Sequence, residues 1–359
     1  MKLFKSLLVA PATLGLLAPL AATANEITVN DFNPVVETTL LAGGEGLVDD
    51  HDGGFSETTT ASFSADFAIG AVDGTGIVTD AARDNSAGTS SLVTDGDEAI
   101  EAYYSFQIDL STSFTGEDSL DISLDAGNSG GAATEFDLNS TTNEALTVDG
   151  ISYTFPVGDK VTAFVGDNTD GSLLYSTACV YGGPGNTLDD CGAATAPLGS
   201  GSGTAAGASF DIGNGFAAAV GYTGAGSSTS GLFTKEGDDA YGAQLTYTGD
   251  SYGASVTYAN TETSGADTTY WALNGYYSFD EGSLPSISVG YEVGDPETAG
   301  AKDTTQYFVG LQWDEAGPGT FGVALGTDGA FAEDATEYMV YEAFYSYPVN
   351  DGMTITPLI

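Results

Sequence analysis

Between Tyr241 and Tyr258 the chain alternates apolar and polar residues in two runs joined by a short turn. Tyr241, Ala243, Leu245 and Tyr247 project to one face of a strand and Gly242, Gln244, Thr246 and Thr248 to the other, because strand side chains alternate with period two. The chain reverses at Gly249-Asp250-Ser251, and Tyr252, Ala254, Val256 and Tyr258 repeat the apolar row against Gly253, Ser255 and Thr257. Tyr closes both ends of each apolar row, as in the aromatic girdles of a membrane-spanning strand, while the small polar face suits an aqueous lumen. The six steps from Tyr241 to Tyr247 span roughly 20 Å, short of an apolar band of about 25 Å. The pattern fits better than the length.

The same period runs along most of the chain, separated by clusters of Gly, Asp, Asn and Ser, with no helical periodicity of useful length. Pro34 to Ala42 is a weak first strand, and Phe63, Ala65, Phe67 and Ile69 form the first strong row. Tyr104 to Leu110 and Leu120 to Leu124 form a hairpin; Ile151 to Phe155 leads into Val161 and Val165; Phe210 and Ile212 turn through Gly213-Asn214-Gly215 into Phe216, Val220 and Tyr222. Later rows are Trp271–Phe279, Ile287–Val293, Tyr307–Trp313, Phe321–Leu325, Met339–Tyr347 and Met353–Ile359. Short turns alternate with longer polar loops, which predicts an all-β, antiparallel transmembrane barrel of about sixteen strands. The chain stops within the last row, at Thr356-Pro357-Leu358-Ile359 and without a terminal aromatic, so a truncated end or an unusual closure is expected.

Ahead of the barrel, Lys2 and Lys5 precede an apolar stretch from Leu7 to Leu20 and an Ala22-Thr23-Ala24 cleavage pattern, the anatomy of an export signal. The expected organisation is a signal peptide at 1–24, an N-terminal segment at 25–58 carrying the weak first strand, and a barrel at 59–359. No later run has the ~18 apolar residues that a spanning helix needs, so insertion falls to strands.

Composition agrees: 359 residues include 50 Gly, 19 Tyr and 18 Phe, a mixture suited to strands and tight turns. The formal charge is -45, with six basic residues, Lys2, Lys5, Arg83, Lys160, Lys235 and Lys302, against 51 acidic ones. Such a balance disfavours nucleic acid as a partner; ordinary solvation of acidic loops accounts for most single Asp and Glu. The acidic residues that matter are those on the polar parity of strands: Asp109, Asp121, Asp125, Glu292 and Glu342, with Gln107, Asn274 and Gln312 as neutral companions. These are the pore-lining candidates, although each also fits a turn or rim position.

No constellation points to an enzyme. His51 is the sole histidine and stands in the acidic loop 49–54, which leaves little material for a nucleophilic triad or a histidine metal site. Asp167-Asn168-Thr169-Asp170-Gly171 and Asp50-His51-Asp52-Gly53 look like calcium loops but lack the Glu of the twelfth position; solvated turns explain them. No metal or cofactor is expected. The two cysteines, Cys179 and Cys191, belong to an exported chain and lack C-x-x-C spacing, so one disulfide stapling a long loop is expected.

The leader MKLFKSLLVAPATLGLLAPLAATA, the segment CVYGGPGNTLDDCG at 179–192 and the closing YPVNDGMTITPLI resemble the outer-membrane porins of marine unicellular cyanobacteria. The resemblance implies a carbohydrate-porin-like barrel of sixteen strands, often trimeric, in outer-membrane lipid and passing small hydrophilic solutes and ions. An S-layer homology domain, common in that family, is not recognisable, so wall anchoring is not carried over. Passive diffusion with a preference for cations is the expected function. A non-conducting structural or adhesive outer-membrane barrel and a secreted acidic calcium-binding β-protein are the alternatives.

Overall fold

The computed structural model describes residues 12–15, 59–71, 100–128, 138, 144–185, 188, 191–192, 198, 203–226, 231–234, 237–263, 266–279, 284–327 and 329–359. Pro34 to Ala42 and His51 lie outside them. The strands are β1 (Ala12–Gly15), β2 (Thr59–Gly70), β3 (Glu101–Thr112), β4 (Ser119–Gly127), β5 (Thr147–Val157), β6 (Val161–Asp167), β7 (Thr204–Gly213), β8 (Phe216–Gly224) and β9 (Asp239–Thr248). They continue as β10 (Tyr252–Thr263), β11 (Ala266–Tyr277), β12 (Ser286–Pro296), β13 (Thr304–Ala316), β14 (Gly319–Thr327), β15 (Phe331–Ala332), β16 (Met339–Asn350) and β17 (Met353–Ile355).

All belong to one antiparallel sheet in which each strand pairs with its neighbour in sequence. One exception is the two-residue β15, which lies on β13 while β14 pairs with β16. The ring closes through β1, whose Ala12 and Thr13 oppose Phe67 and Asp66 of β2 on one side and Ile355 and Thr354 of β17 on the other. The stretch read as a leader therefore contributes the closing strand here. Past β17 the last residues continue along β16: Ala343 and Ile359 exchange both backbone hydrogen bonds.

Each described row of alternating residues forms a strand, the last of them, Met353–Ile359, only over Met353–Ile355, and the faces are inverted relative to a soluble sheet. Leu245, Val256 and Trp271 are 49%, 44% and 52% exposed, whereas Gln244 and Ser255 are 4% and 1% exposed. In register, Val256 opposes Leu273 and Tyr258 opposes Trp271 across β10 and β11, so the apolar side chains form a continuous outer band. Aromatic contacts close it at both edges. Phe216, Tyr247 and Tyr252 pack in series at the turn end, with centroids 4.8 and 5.4 Å apart; Tyr241, Tyr258 and Trp271 do so at the other, at 6.4 and 5.1 Å. Strand length is also sufficient, since β10 has 12 residues and reaches about 40 Å at the rise of an antiparallel strand. The strand outruns its apolar row, so β10 extends beyond the girdles at the end away from its turn.

Most short connections gather at one end and most long ones at the other; the two residues between β10 and β11 and the eight between β11 and β12 are the exceptions. Between β7 and β8 the chain turns at Asn214 (φ 56°) and Gly215 (φ 83°), the left-handed pair that a tight hairpin requires. The long connection between β6 and β7, residues 168–203, places its apolar residues inside the ring. There Tyr181, Leu188 and Cys191 pack with Phe308, Ala324 and Phe344, and Leu198 packs with Ala240, Ala259, Tyr270 and Ala272. These residues are the apolar core. A closed antiparallel sheet with an apolar, girdled exterior and a polar interior is a transmembrane β-barrel.

Candidate pore

The inner wall has two unlike halves. Over β3 to β5 it is acidic and open. Gln107 and Asp109 of β3 and Asp121 of β4 face inward and are half-buried, and Asp125 is buried beside them. Gln107 Nε2 and Ser123 Oγ donate to the same Asp109 carboxylate oxygen at 2.6 and 2.7 Å, Ser119 Oγ donates to Asp121 at 2.8 Å, and Thr147 Oγ1 donates to Asp125 at 2.6 Å. These neutral donors orient the carboxylates without cancelling their charge. Among the described residues Lys160 sits in the β5–β6 turn, 5.9 Å over the Phe210 ring, and Lys302 in the β12–β13 loop, 3.5 Å from Asp334. Among the described residues no strand carries a Lys or Arg.

Strict alternation misses one member of this wall. Asp149 shares the parity of Ile151 and Tyr153, which face outward, and on alternation alone it would meet lipid. A bulge intervenes: Ser123 opposes Gly150 and Leu124 opposes Val148, leaving Asp149 as the extra residue and reversing its direction. Asp149 thereby joins Asp121, Ser152 and Thr154 around a cavity of about 470 Å³, whose far side is formed by Asn168, Thr169, Asp170, Leu173 and Leu174. The cavity has Asp121 and Asp149 on the barrel side and the start of the 168–203 connection, with Asp170, on the other.

Over β9 to β16 that connection covers the wall as a strap. Successive alternate backbone amides of the strap each find a side-chain acceptor on a different strand. The N–H groups of Ser176, Ala178, Val180 and Gly182 donate to Gln244 Oε1 of β9, Ser255 Oγ of β10, Ser288 Oγ of β12 and Gln312 Oε1 of β13, at 2.7, 3.0, 3.0 and 2.9 Å. The intervening strand supplies Asn274, whose Nδ2 donates to the Cys191 carbonyl at 2.7 Å. Beyond the ladder, Tyr181 donates its hydroxyl to Glu342 Oε1 of β16 at 2.5 Å. Burial, reinforced by the Glu342 carboxylate, raises the Tyr181 phenol above its ordinary value, and burial alone does so for Tyr175. Both stay neutral, and Tyr181 stays a donor. Cys179 and Cys191 are joined, with Cα atoms 6.5 Å apart, so the disulfide closes the strap on itself.

The residues singled out by parity thus all turn inward but separate into two groups. Gln107, Asp109, Asp121 and Asp125 belong to the open half. Asn274 and Glu342 lie beneath the strap, Gln312 holds its Gly182 end, and Glu292 is 3% exposed on the same wall. The strap itself leaves a signal in the sequence, since Leu173, Leu174, Tyr175, Val180, Tyr181, Leu188 and Leu198 are too many large apolar residues for a connection meeting only water.

The chain matches no protein-family model and no curated protein. It does match solved structures. A loop-L8 deletion mutant of OmpT, an outer membrane protein of Vibrio cholerae, superposes with a TM-score of 0.51 at 10% identity, covering 84% of this chain and 98% of that one. OprB of Pseudomonas putida, in a high-pH structure, superposes with a TM-score of 0.50 at 10% identity, covering 84% and 92%. At this identity the likeness establishes the fold, a large antiparallel barrel shared with outer-membrane proteins.

Proposed function

We propose that the chain is a passive diffusion porin of a bacterial outer membrane, exported by the 1–24 leader, which admits small hydrophilic solutes and prefers cations. The observation that carries this reading is the open acidic half-wall. Asp121 and Asp149 line the cavity, Asp109 adjoins it through Ser123 and Asp125 is buried in the same wall, and neither the strap nor any strand among the described residues contains a basic residue. A charged lining concentrates counter-ions and opposes ions of its own sign. The test is reconstitution of the purified barrel in planar bilayers under a salt gradient: a reversal potential of the cation-selective sign is expected, and one of the anion-selective sign rejects the preference. One observation favours a second reading. The strap fills the β9–β16 half, and further ordering of it would make a plugged, structural barrel; absence of discrete conductance steps in well-inserted protein would support that reading instead.

A further inference from the structure

Two glycines of the wall lie directly against the strap backbone. A Cβ at Gly290 of β12 would stand 1.6 Å from the Cys191 carbonyl oxygen, and one at Gly221 of β8 would stand 1.8 Å from the Gly171 carbonyl oxygen. Both obstacles are backbone atoms, so no rotamer change makes room. Neither glycine has the left-handed φ that would require glycine for conformational reasons. Space is what each provides. One seat lies ahead of the amide ladder and the other within it: Gly171 precedes the first donor, Ser176, and meets β8, whereas Cys191 meets β12, the strand whose Ser288 accepts from Val180, and the disulfide ties it to Cys179 inside the ladder.

We propose that Gly221 and Gly290 are positioning residues that fix how far the strap stands from its wall, and thereby set the bore left along Asp121 and Asp149. This rests on the diffusion-porin reading for its functional consequence but not for its geometry. A side chain at either seat pushes the strap across the lumen towards the carboxylates, because the strap is backed by one wall and faces the other. The passage narrows. The ladder distances, 2.7 to 3.0 Å, leave little slack, so a shift of an ångström or more breaks the amide bonds nearest the altered seat.

The test compares Gly221→Ala and Gly290→Ala with Gly275→Ala, a control on β11 where the nearest atom to an added Cβ is 3.5 Å away. Barrel formation is checked by heat-modifiable gel migration. Hydrogen exchange by mass spectrometry then reads protection of the 172–182 peptide, and single-channel conductance together with liposome swelling in sugars of increasing size reads the bore. Both seat variants are expected to lose protection in that peptide, conduct less and exclude the larger sugars, with the control matching the parent. Unchanged protection in both seat variants overturns the seating. Lost protection with unaltered conductance and sugar cut-off overturns the claim about bore, and a control that behaves like the seat variants reduces the effect to strand glycines in general. Should the parent itself not conduct, the porin reading fails while the exchange comparison still decides whether the two glycines seat the strap.

Discussion

Gln244 and Leu245 are neighbours in sequence and face opposite media. Leu245 stands in the outer apolar band at 49% exposure, and Arg there places a charge in hydrocarbon at a cost of roughly 2 to 4 kcal/mol near the bilayer midplane. Parity alone expects Arg to be tolerated at Gln244 and Ser255, as in any water-filled lumen. The strap changes that expectation: Gln244 accepts from Ser176 N–H and donates to Thr177 Oγ1 and Thr257 Oγ1 at 3.1 and 2.9 Å, and Ser255 is equally enclosed. Leu245→Arg should therefore lower the urea midpoint of folding into lipid vesicles, while Gln244→Arg should preserve the barrel and release the strap. Equal losses of barrel stability in the two would contradict the assigned faces. Tyr181 gives a second expectation at this scale. Its folded value lies above the ordinary tyrosine value of about 10, so its contribution to strap docking is complete below that pH and is lost as pH rises through the folded value. In the difference between ultraviolet titrations of the parent and Tyr181→Phe, the missing tyrosine should ionise later than exposed ones; ionisation together with them would mean that the phenol is not enclosed against Glu342.

Elements were legible to the degree that one rule governed them. Period-two alternation identifies β2 to β14 and β16 because the two faces meet media as different as lipid and lumen, and a register slip would exchange them. The rule stops where the backbone departs from it. Asp149 escapes because a bulge has no marker in alternation, and the strap escapes because its partners are scattered over β9 to β16, far apart in sequence. β1 escapes for another reason: an apolar leader and an apolar strand have the same composition. Its position yields a prediction. In the closed ring Thr13 stands between Asp66 and Thr354, which places those two about two strand spacings, or ~9.6 Å, apart, too far for a disulfide. Removal of residues 1–24 would leave β2 and β17 as bare edges, a state that sheets avoid by pairing. Asp66→Cys with Thr354→Cys should thus oxidise to a crosslink in protein lacking 1–24 and stay reduced in protein retaining it. Crosslinking in both forms would show that β1 does not part the two strands.

At the scale of the molecule, the division of the lumen decides which charges act on a passing ion. A count of 51 acidic against six basic residues makes an acidic surface certain but assigns no residue to the pore. The half-walls do. Neutralising the open half with Asp109→Asn, Asp121→Asn and Asp149→Asn should weaken cation preference, because Asp121 and Asp149 line the cavity, Asp109 adjoins it through Ser123, and among the described residues no strand carries a basic side chain. Neutralising Glu292→Gln and Glu342→Gln should leave it nearly unchanged, since both are buried on the strap side, at 3% and 7% exposure. The preference of the parent should also be moderate and salt-dependent: the Debye length is about 8 Å at 0.15 M salt and about 3 Å at 1 M, so carboxylates on one wall lose their reach across the lumen as salt rises. Reversal potentials for the three proteins at low and high salt separate the cases. A loss of preference in the Glu292 and Glu342 variant that equals the loss in the Asp variant would mean that ions travel beneath the strap rather than beside it, and the passage would have to be redrawn on the β9–β16 side.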